Sequence, residues 1–222
     1  MRYFIIAILL LAGNEIPAQD IKSKFPGAEA VYTNLACEVD IRRENGKLVA
    51  VSEYSEDLLY LTANAVQMMS KGYIYHSSFN QLKNWDAYTQ LPNERKKLKT
   101  SNETTNSSRQ DYIFYDDVKS TSFDFTGGVI GATRHLDYQL QNNDITLMSP
   151  YYFERYFPVA NGELKITFPE DVVLKYIAKG QNASRINFTE SRKKDKITYT
   201  FRITDLDGVK SYPDAPDNSY YS

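Results

Sequence analysis

Residues 34–54 read N-L-A-C-E-V-D-I-R-R-E-N-G-K-L-V-A-V-S-E-Y. Leu35, Cys37, Val39 and Ile41 fall on one face of this stretch, and Glu38, Asp40 and Arg42 on the other. A period of two is the mark of a half-buried strand, because successive side chains point to opposite sides of a sheet. Asn45-Gly46 follows, and then a second apolar run, Lys47 to Tyr54, with Leu48, Val49 and Val51. Asn-Gly between two such runs specifies a hairpin, since both turn residues tolerate positive φ. The fold is therefore expected to start from antiparallel strands.

Working outward from this hairpin, short strand patterns recur. Tyr73-Ile74-Tyr75, Trp85 to Gln90, Tyr112 to Tyr115, Ser120 to Phe125, Val129 to Gln141 and Tyr151 to Val159 all read as strands. Glu163 to Phe168, Val172 to Ala178, Ser184 to Glu190 and Lys196 to Ile203 complete the set. Breaks are expected at Gly72, Pro92, Gly127-Gly128, Asn142-Asn143-Asp144, Asn161-Gly162, Pro169, Gly180 and the charged turn Arg192 to Asp195. Leu58 to Met69 fits a short helix or an irregular crossing. The polar stretch from Asn93 to Gln110 reads either as a disordered linker or, over Lys96 to Thr105, as an edge strand defended by lysines. No helical pattern longer than about three turns separates consecutive strands. This predicts an all-β, mainly antiparallel β-sandwich with at most one or two short helices.

The first nineteen residues stand apart. Met1-Arg2 give a short positive start, Tyr3 to Ala12 an apolar run, and Ile16-Pro17-Ala18-Gln19 a small-residue site ahead of Asp20. This is the layout of a secretory signal peptide, too short to span a bilayer as a mature helix. The expected organisation is a signal peptide over 1–19, one β-sandwich domain over 20–211, and a linker or tail over 212–222, where Pro213, Pro216 and three tyrosines lie. The ending Pro-Ala-Gln resembles signals of Gram-negative Bacteroidota, which implies a periplasmic address, with secretion as the alternative. In a bacterium the N-x-S/T sequons at Asn102, Asn106, Asn182 and Asn187 are chance; in a eukaryote they would be glycan sites.

The net charge of −2 gives no electrostatic case for nucleic acid or an anionic membrane. Cys37 is the only cysteine, so an internal disulfide framework is excluded. It also lies too far from the leader to be a lipid-anchoring cysteine.

Candidate chemistry is sparse. Cys37 is the obvious nucleophile, yet it falls on the apolar face of its strand, where a thiol is a small hydrophobe. His76 and His135 are the only histidines. His135 and Asp137, two apart on a strand, share a side, which is more often a surface cross-link than a site. A hydrolase would need Cys37, His135 and Asp137 together. Gly127-Gly128-Val129-Ile130-Gly131 looks like a phosphate loop but runs into another strand rather than a helix. Asp205-Leu206-Asp207-Gly208 is a fragment of a calcium loop without its remaining carboxylates, and reads as a turn. Eighteen tyrosines and eleven phenylalanines are abundant. Tyr151-Tyr152-Phe153 and Tyr156-Phe157 could stack on sugars or peptides, but their alternation is also that of ordinary packing. No catalytic, cofactor-binding or metal-ligating residue is assigned, and no cofactor is expected.

Phe25-Pro26-Gly27-Ala28-Glu29-Ala30-Val31 ahead of a hairpin resembles the start of the bacterial domain of unknown function 3857. So do Gly127 to Ala132 leading into His135-Leu136-Asp137-Tyr138, Tyr152-Phe153 with Phe157-Pro158-Val159, and Leu164 to Pro169. The likeness covers roughly Lys24 to Pro216. It implies a β-sandwich ahead of a transglutaminase-like, papain-type domain in exported proteins grouped with cysteine peptidases. The Cys-His-Asp triad of that family belongs to the downstream domain, so no catalytic residue carries over. The expected role is a non-catalytic accessory or interaction domain whose partner is that downstream domain or another exported protein. The alternative is a stand-alone carbohydrate- or peptide-binding module using exposed aromatics.

Overall fold

A computed structural model describes residues 18–92, 94, 96–107 and 117–209. Residues 1–17 of the expected leader (1–19), the expected strand at Tyr112 to Tyr115, the end of the polar stretch and the expected tail over 212–222 lie outside the described residues.

The chain opens with α1 (Ala18–Lys24), then β1 (Ala30–Glu44) and β2 (Lys47–Tyr60). Asn45 (φ 51°) and Gly46 (φ 80°) make the turn between them, both left-handed as the Asn-Gly pair requires. Then come α2 (Ala63–Met68), β3 (Lys71–His76), β4 (Asn80–Gln90), β5 (Lys97–Lys99), β6 (Ser101–Ser107), β7 (Lys119–Asp124) and β8 (Thr133–Asn142). β9 (Val159–Pro169), β10 (Asn187–Lys193) and β11 (Lys196–Leu206) close the fold. The all-β sandwich class is confirmed, with two small α-helices. Thr62 caps α2 by accepting a hydrogen bond from the Ala65 amide.

Eight strands form one sheet in the order β10-β11-β9-β1-β2-β8-β4-β5, and β3-β7-β6 form a second. Every pairing in them is antiparallel except β1 with β9. The parallel pair arises because residues 143–158 cross the inner face of the large sheet before β9 begins. Tyr32 N–H donates to the Pro158 carbonyl (2.8 Å) at that junction.

The core is the inner face of the large sheet. One register row crosses seven strands: Phe188, Phe201, Leu164, Cys37, Tyr54, Tyr138 and Trp85. Tyr54 and Tyr138 stack at 4.5 Å, and Trp85 stacks on Phe123 of the small sheet at 4.5 Å. The small sheet thus covers the β8–β4 end, through Ile74, Phe123 and Phe125 against Ala87, Leu136 and Leu140. On the opposite, outer face, α1 seals one end with Ile21 and Phe25 against Val31, Leu59 and Leu61. Each fully buried large side chain contributes about 1.5–3 kcal/mol to holding these layers together.

Several local expectations are corrected. Gly72 and Asn161-Gly162, read as breaks, lie inside β3 and β9. Both glycines mark close approach: a Cβ on Gly72 would sit 2.2 Å from Phe123 Cε2, and one on Gly162 would sit 2.8 Å from Phe153 Cδ1. Tyr151 to Pro158 and Val172 to Ala178 alternate like strands but join no strand ladder. They are covering segments, which bury Phe157 fully and Tyr151, Phe153, Val172 and Leu174 in part. Lys96 to Thr105 resolves into edge strand β5 and part of β6.

Candidate functional site

β8 alternates Arg134, Leu136, Tyr138 and Leu140 inward with His135, Asp137, Gln139 and Gln141 outward. On the outer face the register sets Asp57 of β2 and Tyr88 of β4 on either side of His135. His135 Nδ1 lies 2.6 Å from Asp57 Oδ1, and Nε2 lies 2.9 Å from Asp137 Oδ2. The ring stacks on Tyr88 at 4.4 Å, and Lys97 Nζ sits 3.9 Å from the Tyr88 ring centre. Burial opposes the imidazolium, but the hydrogen bonds to Asp57 and Asp137 outweigh it and raise the His135 pKa above its ordinary value. With an acceptor at each nitrogen, the charged ring donates twice. It has no free lone pair for general-base work or for a metal. This is a clamp across β2, β8 and β4.

The rest of the outer face is a field of paired charges. Lys165 meets Glu38 (3.2 Å), Lys196 meets Asp40 (3.0 Å), and Arg202 meets Glu163. A shallow depression of about 310 Å³ runs between Glu38, Arg42, Glu53, Gln139 and Lys165. Such exposed pairs contribute little, about 0–1 kcal/mol each.

Cys37 lies on the other side of the sheet, 1% exposed. Burial pushes its thiol up to about 12, with the Tyr54 hydrogen bond opposing only in part. His76 sits in the small sheet, with Nε2 3.1 Å from Thr121 Oγ1; burial and then Lys119 lower its pKa. The structure therefore joins His135 to Asp137, adds Asp57, and leaves Cys37 behind the sheet. The Cys37–His135–Asp137 arrangement a hydrolase would need is not assembled.

Gly127 (φ 67°) makes a turn that leads through Gly131 (φ 86°) into β8, not into a helix. Asp205 (φ 60°) sits at the end of β11 and pairs with Lys24 at 2.6 Å. Among the described residues no group of three or more His, Cys, Asp or Glu could hold a metal ion. No helix of the described residues is long and apolar enough to cross a membrane.

The feature that sequence reading missed is at the β10 edge. β10 is exposed along its whole length. Phe188 packs on Tyr176 and Phe201, both at 5.0 Å or less. The covering segment beside it presents Val173 (83% exposed) and Ile177 (82% exposed) to solvent. Val172 and Leu174 face the core, so strict alternation leaves Val173 outward. An apolar residue on the outward side of that alternation was the one available cue.

The family model described as a Domain of Unknown Function with solved structure (DUF3857) matches residues 41–210. No curated protein matches the chain. A crystal structure described as a "putative protease" from Parabacteroides distasonis superposes with a TM-score of 0.70 at 20% identity, over 86% of this chain. The chain spans 38% of the length of that protein. An M1 zinc metallopeptidase from Deinococcus radiodurans gives a TM-score of 0.38 at 10% identity, over 80% of this chain and 40% of that one. With more than half of its length matched, the chain belongs to the DUF3857 family.

Proposed function

We propose that this chain is a non-catalytic, exported accessory domain that packs against a downstream transglutaminase-like domain. The observation that carries this reading is the pair of solvent-facing aliphatic side chains Val173 and Ile177, on a covering segment whose Tyr176 packs on Phe188 of edge strand β10. Val173 and Ile177, each more than four-fifths exposed on the outward side of this segment, are apolar groups of the kind an interaction surface presents. The family resemblance supplies the occupant, and the larger length of the Parabacteroides distasonis protein is in keeping with it. The buried, raised-pKa Cys37 and the doubly bonded His135 support a role without chemistry of its own.

The test is Val173→Asp combined with Ile177→Asp, made both in the isolated chain and in the native full-length polypeptide. The isolated chain should melt as the wild type does. The native polypeptide should become cleavable by protease between its domains. Unchanged protease resistance in the full-length variant would contradict the proposal.

A further inference from the structure

The small sheet covers the core with one face and turns the other to solvent. The register aligns two rows on that outward face: Tyr73–Ser122–Thr104 and Tyr75–Ser120–Asn106. Tyr73 is 51% exposed and Tyr75 is 59% exposed, while Ile74 between them is buried. Their rings lie 6.5 Å apart and within 15° of parallel. Ser122 and Thr104 hydroxyls are 2.9 Å apart, and the Asn106 amide reaches Thr104 Oγ1 at 3.5 Å. None of these six side chains carries a formal charge. The adjoining row of the same face carries Lys71 and Asp124, and the Asn102 amide donates to the Asp124 carboxylate (2.7 Å).

We infer that this face is a binding site for a neutral, extended oligosaccharide, with the Tyr73 and Tyr75 rings taking the C–H faces of successive pyranose units. An aromatic ring offers a flat apolar surface, and the phenol oxygen at its tip stays wet. Sugar rings are likewise apolar on their faces and hydroxylated at their rims. The hydroxyl and amide groups of Ser120, Ser122, Thr104 and Asn106 both donate and accept, which matches sugar hydroxyls. A charged ligand would find no counter-ion in these rows, and an apolar protein surface would meet four polar side chains for every two rings. The site goes beyond the accessory role and does not depend on the β10 edge, which lies in the other sheet.

The test is calorimetric titration of the chain with cellohexaose, chitohexaose and maltohexaose at millimolar concentration. At least one should bind. Tyr73→Ala and Tyr75→Ala should each weaken that binding by about tenfold or more. Tyr73→Phe, which keeps the ring, should bind within about threefold of the wild type, and Tyr156→Ala, an exposed tyrosine elsewhere, should bind unchanged. Trp85 emission, set by its stack on Phe123, reports that each variant is folded. Failure of all three sugars to bind the wild type would overturn the inference. So would alanine variants with native Trp85 emission that bind as well as the wild type.

Discussion

The Cβ that Gly72 lacks would stand 2.2 Å from Cε2 of Phe123 and 2.6 Å from Cζ. Phe123 cannot move aside, because its ring is stacked on Trp85 and set edge-on to Phe125 at 5.5 Å. Gly72→Ala should therefore destabilise the chain by about 1–3 kcal/mol, the usual range for overpacking a rigid site. Urea unfolding followed by Trp85 fluorescence measures it. A midpoint equal to the wild type would show that the small sheet shifts freely over the large one.

His135 makes stability depend on pH in a stated direction. Its folded pKa is raised above the ordinary value of 6.5 by Asp57 and Asp137, against burial. The imidazolium's contribution is fully present below the unfolded pKa and is lost as pH rises through the folded one. The stability gap between wild type and His135→Gln should shrink as pH climbs from below 6 toward 9. Urea titrations across that range test it, with the His135 ring followed by NMR. A gap that widens with pH would reverse the assignment of the ring as a doubly donating cation.

Cys37 should be inert in the folded chain. A thiol pushed up to about 12 and 1% exposed offers neither thiolate nor access. An aromatic disulfide reagent should label it only as fast as the protein unfolds, and at once in urea. Prompt labelling without denaturant would place Cys37 at a surface and reopen a nucleophilic role.

Covering side chains and edge side chains should separate cleanly. Phe168, 1% exposed and edge-on to Tyr199 at 4.9 Å, lies deep under the crossing segments. Phe168→Ala should cost about 3–5 kcal/mol. Ile177→Asp, at 82% exposure, should change stability of the isolated chain by no more than about 0.5 kcal/mol. Thermal melts of the two variants decide this, and a large loss from Ile177→Asp would mean that the residue packs rather than waits for a partner.

Local pattern made much of the fold readable. The β1–β2 hairpin followed from period-two alternation and from Asn45-Gly46, because both are consequences of backbone sterics alone. Gly162 and Gly72 misled because a glycine at a turn and a glycine under a neighbouring ring look the same until Phe153 and Phe123 are placed. Tyr151 to Val159 and Val172 to Ala178 misled for a related reason. A segment laid over a sheet buries alternate side chains whether or not it joins the ladder. The pairing of His135 with Asp137 was visible two residues apart, but Asp57 enters only through the β2–β8 register. The exposed edge at Val173 and Ile177 was hidden because apolar residues in a strand-like run are read first as core.

The central claim is that the β10 edge is an interface covered by a further domain. The most direct measurement is the mass of the endogenous protein, captured with an antibody against residues 20–222, together with its hydrogen exchange over residues 172–190. The account predicts a species much heavier than 25.5 kDa in which that stretch exchanges more slowly than in the isolated chain. A species no heavier than the chain itself, with residues 172–190 exchanging at the isolated chain's rate, would contradict it.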